Sequence, residues 1–151
     1  MKSNYENSLF YQIHLTAKFF DKLFGQYFKE INLGVTSVEH LALSIISERQ
    51  NCCQRDLARI ILKDRANTGK LANSLESKGL IEIVLSQKNN RPVKILKITD
   101  KGRELLESAY KKVIPVVNHI YSKFQESELE EVKATLHNFR KTVQEALKTN
   151  I

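Results

Sequence analysis

Between Cys52 and Arg103 the chain carries twelve Lys or Arg against five acidic residues, a balance of +7, whereas the remaining positions hold twelve of each sign and cancel. All the excess positive charge of the protein therefore sits in its middle third, as an electrostatic footprint for a polyanion does. Within it, Arg65, Asn67, Lys70, Asn73 and Ser74 recur at spacings that place them on the polar side of one helix. Lys88 and Arg91 flank a polar turn, Lys88-Asn89-Asn90-Arg91. Amide side chains pair with adenine edges, lysine reaches guanine or phosphate, and arginine reaches backbone or base. A solvated basic face would show the same excess, so what the segment folds into has to decide.

Other reactive residue types form no site. Cys52 and Cys53 are adjacent, which disfavours a bridge between them, and no zinc-ligand spacing surrounds them. They read as free thiols, with redox sensing as an alternative because a helix start can lower a thiol pKa. His14, His40, His119 and His137 lack the mutual spacing and acidic escort of a metal site. They are expected in the core, at the surface or lining a pocket. No phosphate loop, nucleophile elbow or acid pair is present, so neither catalytic residues, a metal nor a cofactor is expected, and the chain is not expected to be an enzyme.

The elements that must position the basic residues are legible from period and caps. Leu9, Ile13, Ala17, Phe20, Phe24, Phe28 and Ile31 form a long helical stripe that Gly34 would cap. Thr36 and Glu39 have the spacing of a capping box and open a second helix, with Val38, Leu41, Ala42, Ile45 and Ile46 as its buried face. A third helix carries Leu57, Ala58 and Ile61. Asp64 caps a fourth that ends at Gly79 and turns Thr68, Leu71, Ala72 and Leu75 inward. Ile81, Ile83 and Leu85 then alternate, and after the polar stretch Gln87 to Pro92 come Val93, Ile95, Leu96 and Ile98, giving two strands and a basic hairpin. Thr99 opens a helix that contains Pro115, where a kink or interruption is expected. Ser127 and Glu130 cap a last helix whose stripe, Leu129, Val132, Leu136, Phe139, Val143 and Leu147, is made to pack along another helix.

With 151 residues, 42% hydrophobic and 27% charged, the chain is an ordinary globular domain. It has no run of about 18 apolar residues and no secretory leader pattern, which predicts a cytoplasmic location and no membrane partner.

A short helix, a tight connection, a second helix and a hairpin are the layout of a winged helix-turn-helix, in which the second helix of the pair enters the major groove. Asp64-Arg65-Ala66-Asn67-Thr68, then Leu75-Glu76-Ser77-Lys78-Gly79-Leu80-Ile81, Arg91, and Leu96-Lys97-Ile98-Thr99-Asp100-Lys101-Gly102 resemble the MarR family in order and spacing. The motifs cover about Thr36 to Gly102, and the terminal helices match by pattern only.

The resemblance implies a mainly α fold with a small β-hairpin wing. A helical dimerisation layer, 1–34 with 103–151, would intertwine with a DNA-binding lobe at 35–102. It further implies a homodimer on double-stranded, pseudopalindromic DNA, repression of nearby genes, and release by an oxidant or by a small-molecule effector in a pocket between layer and lobe. Arg65, Asn67, Lys70, Asn73, Ser74, Lys88 and Arg91 would make the DNA contacts, and Cys52 and Cys53 would serve only the redox alternative. The family's wing acid is Asn here, so of the wing pattern only Arg91 carries over. A protein-interaction module of the same fold without DNA binding is the reading from a different class.

Overall fold

The computed structural model of the chain describes residues 5–88 and 90–149. A 3-10 turn at Tyr5–Asn7 leads into α1 (Leu9–Glu30), α2 (Ser37–Glu48), α3 (Gln54–Ile60) and α4 (Arg65–Ser77). The hairpin β1 (Ile81–Lys88) and β2 (Arg91–Ile98) follows, then α5 (Asp100–Tyr121) and α6 (Glu126–Thr149). This is the expected mainly helical fold with a β-hairpin wing. Two compact units divide it, the first ending at Ala109 and the second beginning at Tyr110, so the boundary falls within α5.

In the first unit, fully buried Leu43, Leu57, Leu75, Leu80, Ile81 and Leu96 form the core, joined by Thr68 and Cys53. Each helix of the lobe contributes the apolar side its period implies, with one correction. On α2 the interior is Ala42, Leu43 and Ile46 together with Glu39, while Val38 and Leu41 are exposed. The buried face is thus rotated from the expected one, because α3, α4 and β2 all pack against α2 and draw Leu43 inward. Phe28, the one buried residue of α1, lies against the half-buried ring of His40 at 5.0 Å between centroids.

The ends of the elements follow local chemistry. Thr36 and Glu39 form the complete capping box, the Thr36 hydroxyl accepting from Glu39 N–H and the Glu39 carboxylate from Thr36 N–H. The expected Gly34 cap of α1 is displaced. Asn32, directly after the C-cap Ile31, takes the left-handed conformation with φ 45°, and Gly34 (φ 72°) lies within the loop. The expected Ser127–Glu130 box is also shifted. Gln125 N–H donates to Glu128 at 2.7 Å, so α6 starts at Glu126, and Glu130 pairs instead with Lys133 on the surface. Helix α5 continues through Pro115 without interruption.

The hairpin is longer than its polar residues implied. Pairing runs from Ile81↔Ile98 to Lys88↔Arg91, which brings Gln87 and Pro92 into the ladder and leaves residues 89 and 90 between the strands. Asn89 lies outside the described residues, and Asn90 has φ 58°. On its other edge β2 takes a third short segment, since Leu96 N–H donates to Cys52 O at 2.8 Å and Cys53 bridges Ile95. The residues just before α3 thus anchor the wing to the helical lobe.

Close packing ties the end of α4 to the start of α5. Gly79 turns the chain with φ 71°, Thr99 donates to its carbonyl at 2.7 Å, and the same Thr99 hydroxyl accepts from Gly102 N–H. A Cβ on Gly102 would collide with the Leu80 carbonyl oxygen and come within 2.8 Å of Ile98 Cγ1. Gly to Ala inside a helix normally stabilises by up to about 1 kcal/mol. Here the sign reverses, because the obstruction is backbone. Gly102→Ala is expected to cost about 1–3 kcal/mol, the usual range for overpacking, read as a lowered urea midpoint at unchanged slope; an equal or higher midpoint would refute this packing.

Candidate nucleic-acid interface

Helix α4 is built to hold one face in the core and offer the other. Asp64 caps it, Oδ1 accepting from Asn67 N–H at 2.7 Å and Oδ2 from Asn67 Nδ2 at 2.6 Å. The Asn67 backbone bond, then its side-chain bond, hold the Asp64 carboxyl below the usual carboxylate range. Thr68 is fully buried and donates to Asp64 O. With Ala72 and Leu75 also buried and Leu71 half-buried, the expected inward face is confirmed.

The opposite face is not quite the one the polar residues marked out. At 3.6 residues per turn, Ala66, Lys70, Asn73 and Ser77 form one exposed stripe. Ala66 carries no polar group to mark it, although a methyl group can contact thymine, and Ser77 lies beyond the polar run from Arg65 to Ser74. Asn67 is exposed toward the flank, and its link to Asp64 uses one amide hydrogen, leaving the other and the carbonyl oxygen for a partner. Arg65 is exposed at the helix start. Ser74 is half-buried, and its hydroxyl donates to Glu39 Oε1 at 2.6 Å. In this arrangement Ser74 positions the helix rather than facing outward.

The partner of Ser74 is the feature that local sequence spacing could not reveal. Glu39, 5% exposed, accepts from Thr36 N–H, from Ser74 and from Lys78 Nζ, which lies 2.8 Å from each carboxylate oxygen. Burial pushes the Glu39 carboxyl up, but the bonds from Lys78, Ser74 and Thr36, with the Lys78 charge, outweigh it and hold the pKa below its ordinary value. One side chain thus starts α2 and grips the last turns of α4.

Glu76 completes the mounting by accepting from Ile83 N–H at 2.9 Å, which ties α4 to β1. Lys88 and Arg91 are paired at the turn end of the hairpin and exposed, and among the described residues neither makes an ion pair. The α4 stripe and the wing cations are thus carried on elements that pack against each other. Of the expected contact residues, Arg65, Asn67, Lys70, Asn73, Lys88 and Arg91 are exposed and Ser74 is engaged within the protein.

Both cysteines are buried, at 3% and 2% exposure. Cys53 Sγ donates to Asp56 Oδ2 at 2.9 Å, and that bond is the main reason the Asp56 carboxyl lies below its usual range. Burial, the Asp56 carboxylate and Cys53 together push the Cys52 thiol up. A reactive thiol needs the opposite, an exposed and electropositive setting. Among the described residues no group of three or more potential ligands could hold a metal ion.

Three helices, an outward-facing α4 and a β-hairpin mounted on its end define a winged helix-turn-helix protein. The family model of the MarR family matches residues 33–91, from the α1–α2 loop to the start of β2. The chain is 28% identical over 138 residues to the HTH-type transcriptional regulator YybA of Bacillus subtilis, covering 91% of this chain and 90% of that protein. It is 29% identical over 103 residues to the HTH-type transcriptional regulator BilQ of Clostridioides difficile, covering 68% and 69%. Among solved structures, S. aureus MepR in complex with DNA aligns with a TM-score of 0.74 at 18% identity, over 90% of this chain and 98% of that one. CouR from Rhodococcus jostii RHA1 bound to p-coumaroyl-CoA aligns at 0.74 and 16%, over 89% and 92%. Residues 33–91 are thus similar to the MarR family, the curated relatives are HTH-type transcriptional regulators, and the fold is that of the solved structures named above.

Glu39→Gln keeps the shape of the side chain and removes its charge, which is expected to lower stability by about 2 kcal/mol near neutral pH, as for a charged hydrogen bond. Because the folded pKa is lowered, the contribution of Glu39 is complete above the ordinary glutamate value of about 4.3 and is lost as pH falls through the folded value. The gap between wild type and variant should therefore close on acidification. Urea titrations across that range check it, and a gap that stays constant into acid would disprove the ion pair's part.

Proposed function

We propose that the protein is a cytoplasmic homodimeric repressor that binds a pseudopalindromic duplex site through two copies of α4 and its wing and is released by a small effector. The carrying observation is the exposed set Arg65, Asn67, Lys70 and Asn73 beside Lys88 and Arg91, in the segment that holds the entire +7 excess. The major groove is about 12 Å wide and admits a helix with its side chains. Lys70 and Asn73 then face base edges, Asn67 offers its free amide hydrogen and carbonyl, and the wing cations lie against the backbone or minor groove. That MepR was crystallised with DNA supports this use of the fold.

The homodimer is supported by apolar residues that a single chain leaves open. On α6, Val132, Leu136, Phe139, Val143 and Leu147 recur along one side, each at least 42% exposed, and on α1 Leu9, Phe10, Phe19 and Phe20 are exposed likewise. Contiguous apolar surface of this kind marks an interaction site. In the proposed assembly 1–34 and 103–151 form the dimer layer and 35–102 the DNA-binding lobe, including the terminal residues 1–4 and 150–151 that lie outside the described residues. Repression follows from occupancy alone, since a dimer covering a promoter excludes other proteins from it.

Control acts through the spacing of the two α4 helices. An effector shifts it only by binding the DNA-competent and DNA-incompetent states unequally. The CouR complex with p-coumaroyl-CoA supports a small organic effector. Burial of Cys52 and Cys53 weighs against an oxidant. No helix among the described residues is long and apolar enough to cross a membrane.

Arg91→Ala is expected to weaken binding to all duplexes and to lower the slope of log affinity against log salt by about 0.9 per subunit. Asn67→Ala and Lys70→Ala should in addition relax sequence preference. Fluorescence anisotropy over a salt series separates these outcomes, and an unchanged slope for Arg91→Ala would remove the wing from the interface. Peroxide at concentrations that oxidise exposed thiols should leave DNA affinity alike in wild type, Cys52→Ser and Cys53→Ser. Release confined to the wild type would restore the redox reading.

A further inference from the structure

A second feature lies beside α4 and shares only Arg65 with the expected contact residues. Cys53, Gln54, Arg55, Arg65, Pro92, Val93 and Lys94 line an open cleft of about 230 Å³ between the start of α3, the start of α4 and β2. We propose that this cleft seats one phosphate of the bound duplex, with Arg55, Arg65 and Lys94 neutralising it and the Gln54 amide beside it. The proposal rests on the DNA-binding reading above and adds Gln54, Arg55 and Lys94 to the interface.

Three cations from three different elements converge on the cleft, and none of its lining residues is acidic. Among the described residues, Arg55, Arg65 and Lys94 make no ion pair. Asp56, the acid whose pKa feels Arg55, is engaged by Cys53 Sγ. Like charges gathered without a partner repel one another, and an anion between them reverses the sign of the interaction. A volume of 230 Å³ falls below the roughly 300–1,000 Å³ of sites that enclose small organic ligands. An open cationic notch of that size suits a phosphodiester group on a larger molecule.

Gln54 adds a second, independent observation. Its Oε1 is buried with no hydrogen-bond partner among the described residues. The protein alone therefore fixes neither orientation of this amide, and Nε2 is the end that can donate to an oxyanion. A Cβ at Gly69 would lie 3.2 Å from Gln54 Nε2, so the glycine inside α4 leaves room for this amide. A phosphate seated here would touch α3, α4 and β2 at once. Such a contact carries no sequence information and fixes the depth and register of the reading helix.

The test is a methylphosphonate scan, in which each phosphodiester of an operator duplex is made neutral in turn, with wild type, Arg55→Ala and Lys94→Ala. Both residues are exposed, and equal thermal midpoints show that the variants are folded. Each variant should lower the salt slope, by at most about 0.9 per subunit, the share of one phosphate. One phosphate position per half-site, the same for both variants, should cost the wild type more affinity than it costs either variant, in which two of the three cations remain. Wild-type slopes in both variants, or losses that add at every position, overturn the cleft while leaving DNA binding intact. A wild type that binds no duplex fails earlier and removes the DNA-binding reading together with this one.

Discussion

A helix ends with carbonyl groups that its own backbone cannot satisfy, and in a reading helix those groups must find donors without covering the exposed face. At the end of α4 they are met from behind. Gly79 and Leu80 N–H groups turn back onto Glu76 and Leu75, and Lys101 Nζ donates to Lys78 O at 2.7 Å. Thr99 N–H donates to Leu80 O and the Thr99 hydroxyl to Gly79 O. The wing starts at the next residue and α5 starts beside the same carbonyls, so α4, the wing and the long helix α5 share one joint. That sharing explains why Leu80 and Ile81 are fully buried and why only a glycine fits at position 102.

Glu39 supplies the complementary hold on the opposite flank. Its carboxylate is satisfied by three donors, one on α4 and one at its C-cap, and a buried charge so bonded resists rearrangement because losing any one partner exposes the cost of its burial. Glu76 fastens the third side to β1. The face formed by Ala66, Lys70, Asn73 and Ser77 is thereby presented by constraint on its flanks and not by contacts of its own. Preorganisation of this kind lowers the ordering cost of a binding surface.

The sequence made the order of elements readable because periods and caps are local. Asp64, Thr36 with Glu39, and Gly79 marked helix boundaries within a residue or two, and the confined positive charge falls in the lobe that α2 to β2 build. What escaped were contacts set by distance along the chain. Glu39 and Lys78 are 39 positions apart, and no pattern within either helix announces the pair. The polar character of Ser74 placed it on the DNA face, whereas its partner on α2 draws it aside. Leu43 was passed over for Val38 and Leu41 because a period fixes a stripe but not which edge of it the neighbouring elements cover. Ser127 is the better cap in isolation, but Glu128 reaches back to Gln125 N–H and the helix starts at Glu126. The cysteines read as an isolated pair since their backbone partnership with β2 involves residues more than forty positions later.

That partnership has a practical side. Cys52 and Cys53 serve the wing through their peptide groups, and the thiols themselves are hidden, one of them with its ionisation suppressed. Slow thiols of this type react poorly with maleimides and spin labels. The chain holds no other cysteine, so its natural form is already a silent background: one cysteine engineered onto a surface position becomes the dominant site of attachment, and interprobe distances can be recorded without first stripping the protein of its own sulfur.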